Sequence, residues 1–356
     1  MRCGIVASMR GRRILFYDPD PKVLRVAERA LISTGSDVDV TGDPDAFTHK
    51  VMHPERVEGY DLIMVNYDPP MRGDARWEEL FTTIEGRYPK TRMVLHATAG
   101  SEDYLPLMAQ HRYVRNLIAK NDEPLEPEEL IVTAEKLLRR DLFGLDKYML
   151  WGIEPYRLEI RDSREKLSYV RQVSTYAERL GCNERTIELI ETIVDELTTN
   201  AIFNAPRDAE GNPKYARLSR REPVALQDHE VAQLQFACDG DYIAISQVDP
   251  FGALTQETIV TYLNRCLARG PQQFSDASGG AGIGLYRVFQ SLSKFVVNID
   301  PGKKTEVITL IDLRLSMKRF RQLPKSFHIF VADRAAERAE GARRDADSTG
   351  EVRRGP

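Results

Sequence analysis

Five short apolar runs recur through residues 12–140, with segments of helical spacing between them: RRILFYD, ending at Asp18, then DVDVTG, YDLIMVNYD, RMVLHAT and RNLIAK. A strand that is apolar without alternation must be covered on both faces, and a parallel sheet flanked by helices does this. The helical segments fit that arrangement. Pro21–Ser33 carries Val23, Leu24, Ala27 and Leu31 near one face, Trp77–Tyr88 is a second helix, and residues 126–143 place Leu130, Ile131, Ala134, Leu137 and Leu138 together. The expected fold for residues 12–140 is therefore α/β and doubly wound.

At 356 residues the chain exceeds what one hydrophobic core usually serves. The segment FGLDKYMLWGIEP reads as a linker over residues 141–154, with Tyr148 and Trp151 sealing the contact between two domains. A second domain follows over 155–316. It begins with two long helices, Ser163–Arg179 and Glu184–Phe203, and continues into a polar excursion over 205–230. A hairpin turning at Asp239-Gly240, a helix over Gln256–Ala268, a glycine-rich loop, a helix over Gly284–Leu292 and a hairpin around Pro301-Gly302 complete it. Helices beside an antiparallel sheet give an α+β sandwich. Residues 332–356 lack large apolar side chains and read as a disordered tail.

The net charge of −4 gives no global field for nucleic acid, and no basic recognition helix is visible. The basic run Lys318, Arg319, Arg321 and Lys325 reads as a solvated face. Four scattered cysteines, Cys3, Cys182, Cys238 and Cys266, form no C-x-x-C pair and suggest reduced thiols. No apolar stretch reaches membrane-spanning length, so a cytoplasmic protein without membrane contact is expected.

Three patches in the second half carry chemistry. In IVDELTTNAIFNAP, Glu196 and Asn200 are one helical turn apart and Asn204 extends the stripe. A carboxylate and an amide so placed suit a hydrated magnesium ion. In ISQVDPFGAL, Asp249 ends a strand, where a buried carboxylate accepts from an exocyclic amine such as that of adenine, and Gly252 follows. In SGGAGIGLYRV, Gly279, Gly280, Gly282 and Gly284 lead into a helix, an arrangement that lets backbone amides approach phosphate.

In this order the patches resemble the N, G1 and G2 boxes of the histidine-kinase-like (GHKL) ATPase superfamily. The helices before the N box look most similar to those of anti-sigma serine kinases. The resemblance implies ATP and Mg2+ as cofactors, Glu196 as catalytic base and Asn200 as magnesium ligand. It further implies Asn204, Asp249, Gly252, Gly280, Gly282, Gly284 and Thr305 as nucleotide-binding positions. The G1 pattern D-x-G-x-G departs here: Phe251 stands at its first glycine and Gly252 comes one residue late. None of the six histidines lies just before the N box, which disfavours autophosphorylation on histidine.

The first half resembles a response-regulator receiver, with an incomplete site. Asp18 has Pro19 where a second acid is usual, Asn66 aligns with the phosphoacceptor aspartate and His96 with the switch hydroxyl, although Thr98 is close. Lys120 is retained and is expected to pair with Asp18, whereas Asp68, past the strand end, is expected to point elsewhere. A receiver that takes no phosphate would serve as a docking surface.

Two functions follow. One is an anti-sigma-type serine/threonine kinase acting on an anti-anti-sigma or sigma-factor-like protein or another signalling regulator. The other is a signalling adaptor switched by ATP. The Glu196–Asn200 pair favours the kinase, which is the first expectation, whereas the altered G1 pattern and incomplete receiver favour the adaptor, its alternative; a homodimer is left open.

Overall fold

In the computed structural model, residues 9, 11–69, 74–121, 125–269, 288–316, 319 and 322–332 are described. The five apolar runs form strands β1 (Arg13–Tyr17), β2 (Asp37–Thr41), β3 (Leu62–Asn66), β4 (Arg92–Ala97) and β5 (Val114–Ala119). They pair in parallel in the order β2-β1-β3-β4-β5. Every residue of β1 and β3 is buried, as strands covered on both faces must be. The helices between them are α1 (Pro21–Ile32), α2 (Pro44–Met52), α3 (Ala75–Arg87), α4 (Ser101–Gln110) and α5 (Pro127–Arg139). Asp20, Asp43 and Asp74 cap α1, α2 and α3 by accepting from a first-turn N–H, and proline at the start of α1 and α2 needs no hydrogen-bond partner there.

The second half is antiparallel but for its last strand. It contains β6 (Tyr156–Ile160), α6 (Lys166–Arg179), α7 (Glu184–Thr199), β7 (Ala232–Cys238), β8 (Tyr242–Asp249), α8 (Gln256–Arg269), β9 (Lys294–Asp300), β10 (Lys304–Asp312) and β11 (Ser326–Val331). Beyond α7 the chain continues as a π-type turn, Asn200–Asn204, with the Ala205 N–H reaching back five residues to the Asn200 carbonyl at 2.9 Å. Odd-numbered residues of β8, such as Ile243 and Ile245, pack with Ile190, Ile193 and Leu197 of α7. Ala244, on the other face, packs with Leu142, Leu145 and Met149 of the linker.

The two halves share one sheet. Strand β11 runs parallel to β9 and antiparallel to β5, with Phe327 opposite Leu117 and His328 opposite Asn116. The result is an eleven-stranded sheet in the order β2-β1-β3-β4-β5-β11-β9-β10-β8-β7-β6. Two strands lie outside the sequence expectation. β6 precedes the first long helix of the second half, and β11 lies past residue 316, where that domain was expected to end. Residues 333–356, nearly all of the expected tail, lie outside the described residues. Lys325, expected on a solvated face, donates to the Leu292 carbonyl at 2.8 Å, and burial pushes its ammonium down to about 8.

Buried polar groups lie under the splice. Glu129 of α5 contacts Lys294 of β9 at 2.8 Å and His328 of β11 at 3.1 Å, and Lys294 also pairs with Glu126. Burial opposes the Glu129 charge, but Lys294 and His328 hold its carboxyl down to about 2. Further along α5, Lys136 donates to Tyr148 Oη and Asn298 Oδ1, both at 2.8 Å. Glu306 of β10 accepts from Gly144 N (2.9 Å), Asn298 Nδ2 (2.9 Å) and Ser246 Oγ (3.2 Å). Tyr148 thus helps to seal the contact as expected, but Trp151 does not: it is 94% exposed. Among the described residues no helix is long and apolar enough to cross a membrane.

A shared sheet with ion pairs across it predicts one cooperative unfolding transition for both halves. Glu129→Ala leaves Lys294 with Glu126 alone and removes the carboxylate from His328, and should lower stability by about 3 kcal/mol at neutral pH, read by chemical denaturation. The Glu129 carboxyl lies below its ordinary value, so this contribution is complete above about pH 4.5 and fades as pH falls toward 2.

Candidate functional site

Asp249 ends β8 and Thr305 begins the paired stretch of β10 directly opposite it. Gln247 stands two residues before Asp249, on the same face. That face is the one covered by α7. All three side chains are buried, with Thr305 1%, Gln247 3% and Asp249 5% exposed. Thr305 Oγ1 and Gln247 Nε2 have no hydrogen-bond partner of ordinary geometry among the described residues. Asp249 accepts from the Phe251 N–H at 3.0 Å. Burial pushes its carboxyl up to about 6, against the pull of the Phe251 N–H, the Gln247 amide, the Gly252 N–H and the Arg207 charge.

Gly252 has a backbone reason of its own. Its φ is +59°, and a Cβ there would lie 2.1 Å from the Asp300 carbonyl and 2.8 Å from Gly302 N. Gly302 N donates to the Gly252 carbonyl at 3.1 Å, so this loop is pressed against the β9–β10 turn. The late glycine of the G1-like patch therefore serves close backbone approach.

Glu196, Asn200 and Asn204 lie along one flank of α7 and its π-type extension. The two amides are locked together, with Asn204 Nδ2 donating to Asn200 Oδ1 at 2.7 Å. The excursion over 205–230 folds back onto them. Its base is pinned by Glu230, fully buried, which accepts from Lys214 Nζ (2.6 Å), Tyr215 Oη (3.1 Å) and Gln227 N (2.9 Å). From this excursion Arg207 Nη1 donates to the Asn204 carbonyl at 2.6 Å. Arg220 Nη2 donates to Asn204 Oδ1 at 3.1 Å, with its guanidinium 4.6 Å from the Phe203 ring centre. The Arg220 charge is felt by Glu196, and the Arg207 charge by Asp249.

The fold thus brings Glu196, Asn200, Asn204, Asp249, Gly252 and Thr305 to one end of the second half. Gly279, Gly280, Gly282 and Gly284 lie outside the described residues. The magnesium role expected of Asn200 meets competing contacts here. Asn200 Oδ1 already accepts from Asn204 at 2.7 Å, and the Arg220 and Glu196 charges act on each other. Sequence reasoning did not find Arg207 and Arg220, which sit in a stretch without periodicity.

In the first half, Lys120 Nζ contacts Asp18 Oδ2 at 2.8 Å, as expected. Asp68 does not point elsewhere. Its Oδ1 accepts from Thr98 N and Thr98 Oγ1, both at 2.7 Å, and its Oδ2 lies 3.4 Å from Lys120 Nζ and 3.3 Å from Asn66 Nδ2. An Asx-type turn causes this, because the Asp68 N–H donates to Asn66 Oδ1 at 2.8 Å and folds the chain back. Burial opposes the Asp18 charge, but His96 when charged, Lys120, the Asp20 N–H and the Asn66 amide hold its carboxyl below the usual range. Burial takes His96 down to about 4, so at neutral pH the ring is uncharged and Lys120 is the cation that counts. A cleft of about 930 Å3 separates Thr98, Ser101 and Glu102 from Arg185, Glu188 and Thr192 of α7; Asp249 and Thr305 do not line it.

No family model matches the chain, and no curated protein matches it. Solved structures match its N-terminal part. A CheY-like response regulator receiver domain protein from Methanospirillum hungatei JF-1 is 19% identical over 36% of this chain and 94% of its own, with a TM-score of 0.30. The signal receiver domain of an HD domain-containing protein from Pseudomonas fluorescens Pf-5 is 17% identical over 37% and 97%, with a TM-score of 0.31. A response regulator from Thermotoga maritima is 16% identical over 36% and 98%, with a TM-score of 0.30. The receiver-like α/β fold of the first half stands on its own strand order and register, not on these likenesses.

Two outcomes are expected. Acetyl phosphate should leave no acid-labile label on the full chain, because Asn66 cannot form an acyl phosphate and Asp18 and Asp68 are both engaged by Lys120; label on either aspartate in peptide mapping would contradict this. Asp249→Asn should stabilise the fold at pH 7.5 by up to about 3 kcal/mol and have little effect near pH 4. The sign follows from the raised carboxyl, since a native state that holds its proton up to about 6 loses stability as pH rises through that value. Thermal melts at the two pH values read the difference.

Proposed function

We propose that the chain is a signalling protein whose receiver-like half is a docking surface and whose second half binds ATP at the α7-facing end of β8 and β10. One observation carries this reading. Asp249, Gln247 and Thr305 are buried side by side; among the described residues the Thr305 hydroxyl has no hydrogen-bond partner, and the Gln247 amide has only its pull on Asp249. Such groups cost about 1–3 kcal/mol each unless a ligand satisfies them. A planar base with an exocyclic amine and ring nitrogens offers what they lack: a donor for the Asp249 carboxylate and acceptors for the threonine hydroxyl and the glutamine amide.

Nucleotide occupancy then acts as a switch on binding of a signalling partner, such as an anti-anti-sigma or sigma-factor-like protein. The kinase reading draws its support from Glu196, one turn from Asn200, as proton acceptor for a partner hydroxyl. Arg220 counts against it, because its positive charge acts on that carboxylate, and a nearby positive charge opposes the protonation a base must undergo. The adaptor is therefore preferred.

Calorimetric titration of the full chain with ATP tests the reading. ATP should bind, and Asp249→Ala should weaken binding by roughly tenfold or more, the loss of a charge-assisted hydrogen bond. Unaltered affinity in that variant would remove the base-binding role of Asp249. Glu196→Ala should leave ATP binding in place, and phosphate transfer to a partner that disappears in this variant would restore the kinase reading.

A further inference from the structure

The excursion over 205–230 brings two guanidinium groups to the place where the sequence calls for a divalent cation. Arg207 is half-buried, anchored to the Asn204 carbonyl and close enough to Asp249 to influence its charge. Arg220 is exposed, held at one edge by Asn204 Oδ1 and across its face by Phe203. Both are preorganised, so little rotamer entropy remains to be lost when an anion arrives. Meanwhile the oxygen that would ligate magnesium, Asn200 Oδ1, already accepts a hydrogen bond from an amide of the chain itself.

A half-buried arginine needs an anion nearby. Asp249 and Asp208 act on the Arg207 charge, but its Nη1 donates to the neutral Asn204 and Pro206 carbonyls. Two guanidinium groups near buried polar side chains, one of which, Thr305, has no hydrogen-bond partner among the described residues, match a nucleotide with a phosphate chain: the base goes to Asp249 and Thr305, the phosphates to the arginines. Planar N–H forks suit phosphate oxygens better than a single point charge does.

From this we infer that Arg207 and Arg220 supply the positive charge for the phosphates, and that the nucleotide binds without a divalent metal. The inference rests on the nucleotide-binding reading above and specifies how that site works. The excursion over 205–230 then carries the counter-charges and closes the site from the α7 side.

Calorimetry of the full chain with ATP, once with magnesium and once with excess EDTA, tests this. The two dissociation constants should agree within about threefold. Arg220→Ala, a change at an exposed side chain, should weaken ATP in EDTA by roughly tenfold or more and leave adenosine binding unaltered. Arg207→Ala should act in the same direction, with a thermal melt confirming that the variant is folded. Binding that appears only with magnesium overturns the inference and leaves the nucleotide reading standing. ATP affinity unaltered in Arg220→Ala also overturns the inference alone. Absence of binding in both solutions overturns the nucleotide reading and the inference with it.

Discussion

Strand β11 is the constraint on which the rest depends. Six residues, Ser326–Val331, fill the gap between a parallel sheet and an antiparallel one, antiparallel to β5 on one side and parallel to β9 on the other. The strand is almost wholly buried, and the Phe327 ring centre lies 5.9 Å from that of Phe295 and 5.4 Å from that of Phe289. Its position also dictates what lies beneath. His328 is carried to Glu129 and Asn116, and Phe330 to 4.2 Å from the Lys136 ammonium. Charges that would be ruinous alone are tolerable because the strand delivers their partners. The relation between the receiver-like site and the candidate nucleotide site is therefore set by hydrogen bonds, not by a loose linker.

How much of this was legible in the sequence varied with burial. Strands β1 to β5 were readable because they are apolar on both faces, and β7 to β10 because turn residues punctuate them. β6 was not, since YRLEI is an edge strand with its first residues exposed. β11 was missed because SFHIFV follows a basic stretch and precedes a run poor in large apolar residues, so nothing local marks it as part of a core. The charges of α5 misled in another way. Glu129 and Lys136 on a helix read as solvent-facing, and only tertiary pairing reveals that α5 buries one apolar face and one polar face.

The candidate site divides along the same line. Glu196, Asn200, Asn204, Asp249, Gly252 and Thr305 could be named from spacing and resemblance, and the fold gathers them. What spacing could not supply was the set of partners: the amide-to-amide lock, the guanidinium groups of Arg207 and Arg220, and the Thr305 hydroxyl without a hydrogen-bond partner among the described residues. Asp68 makes the same point in the first half, where a turn of two residues folds it into the cluster that residue order suggested it would leave.

A strand shared by two sheets also changes what happens when it is lost. Two separate sheets would have four free edges; the spliced one has two, β2 and β6, both short and both bearing charge at Asp37, Asp39, Arg157 and Glu159. Removing β11 would uncover β5 and β9, each lined with large apolar side chains and unpaired backbone groups. Exposed edges of that kind recruit other chains. The chain is thus built so that its two halves do not part into soluble modules, and damage to residues 326–331 would show first as aggregation.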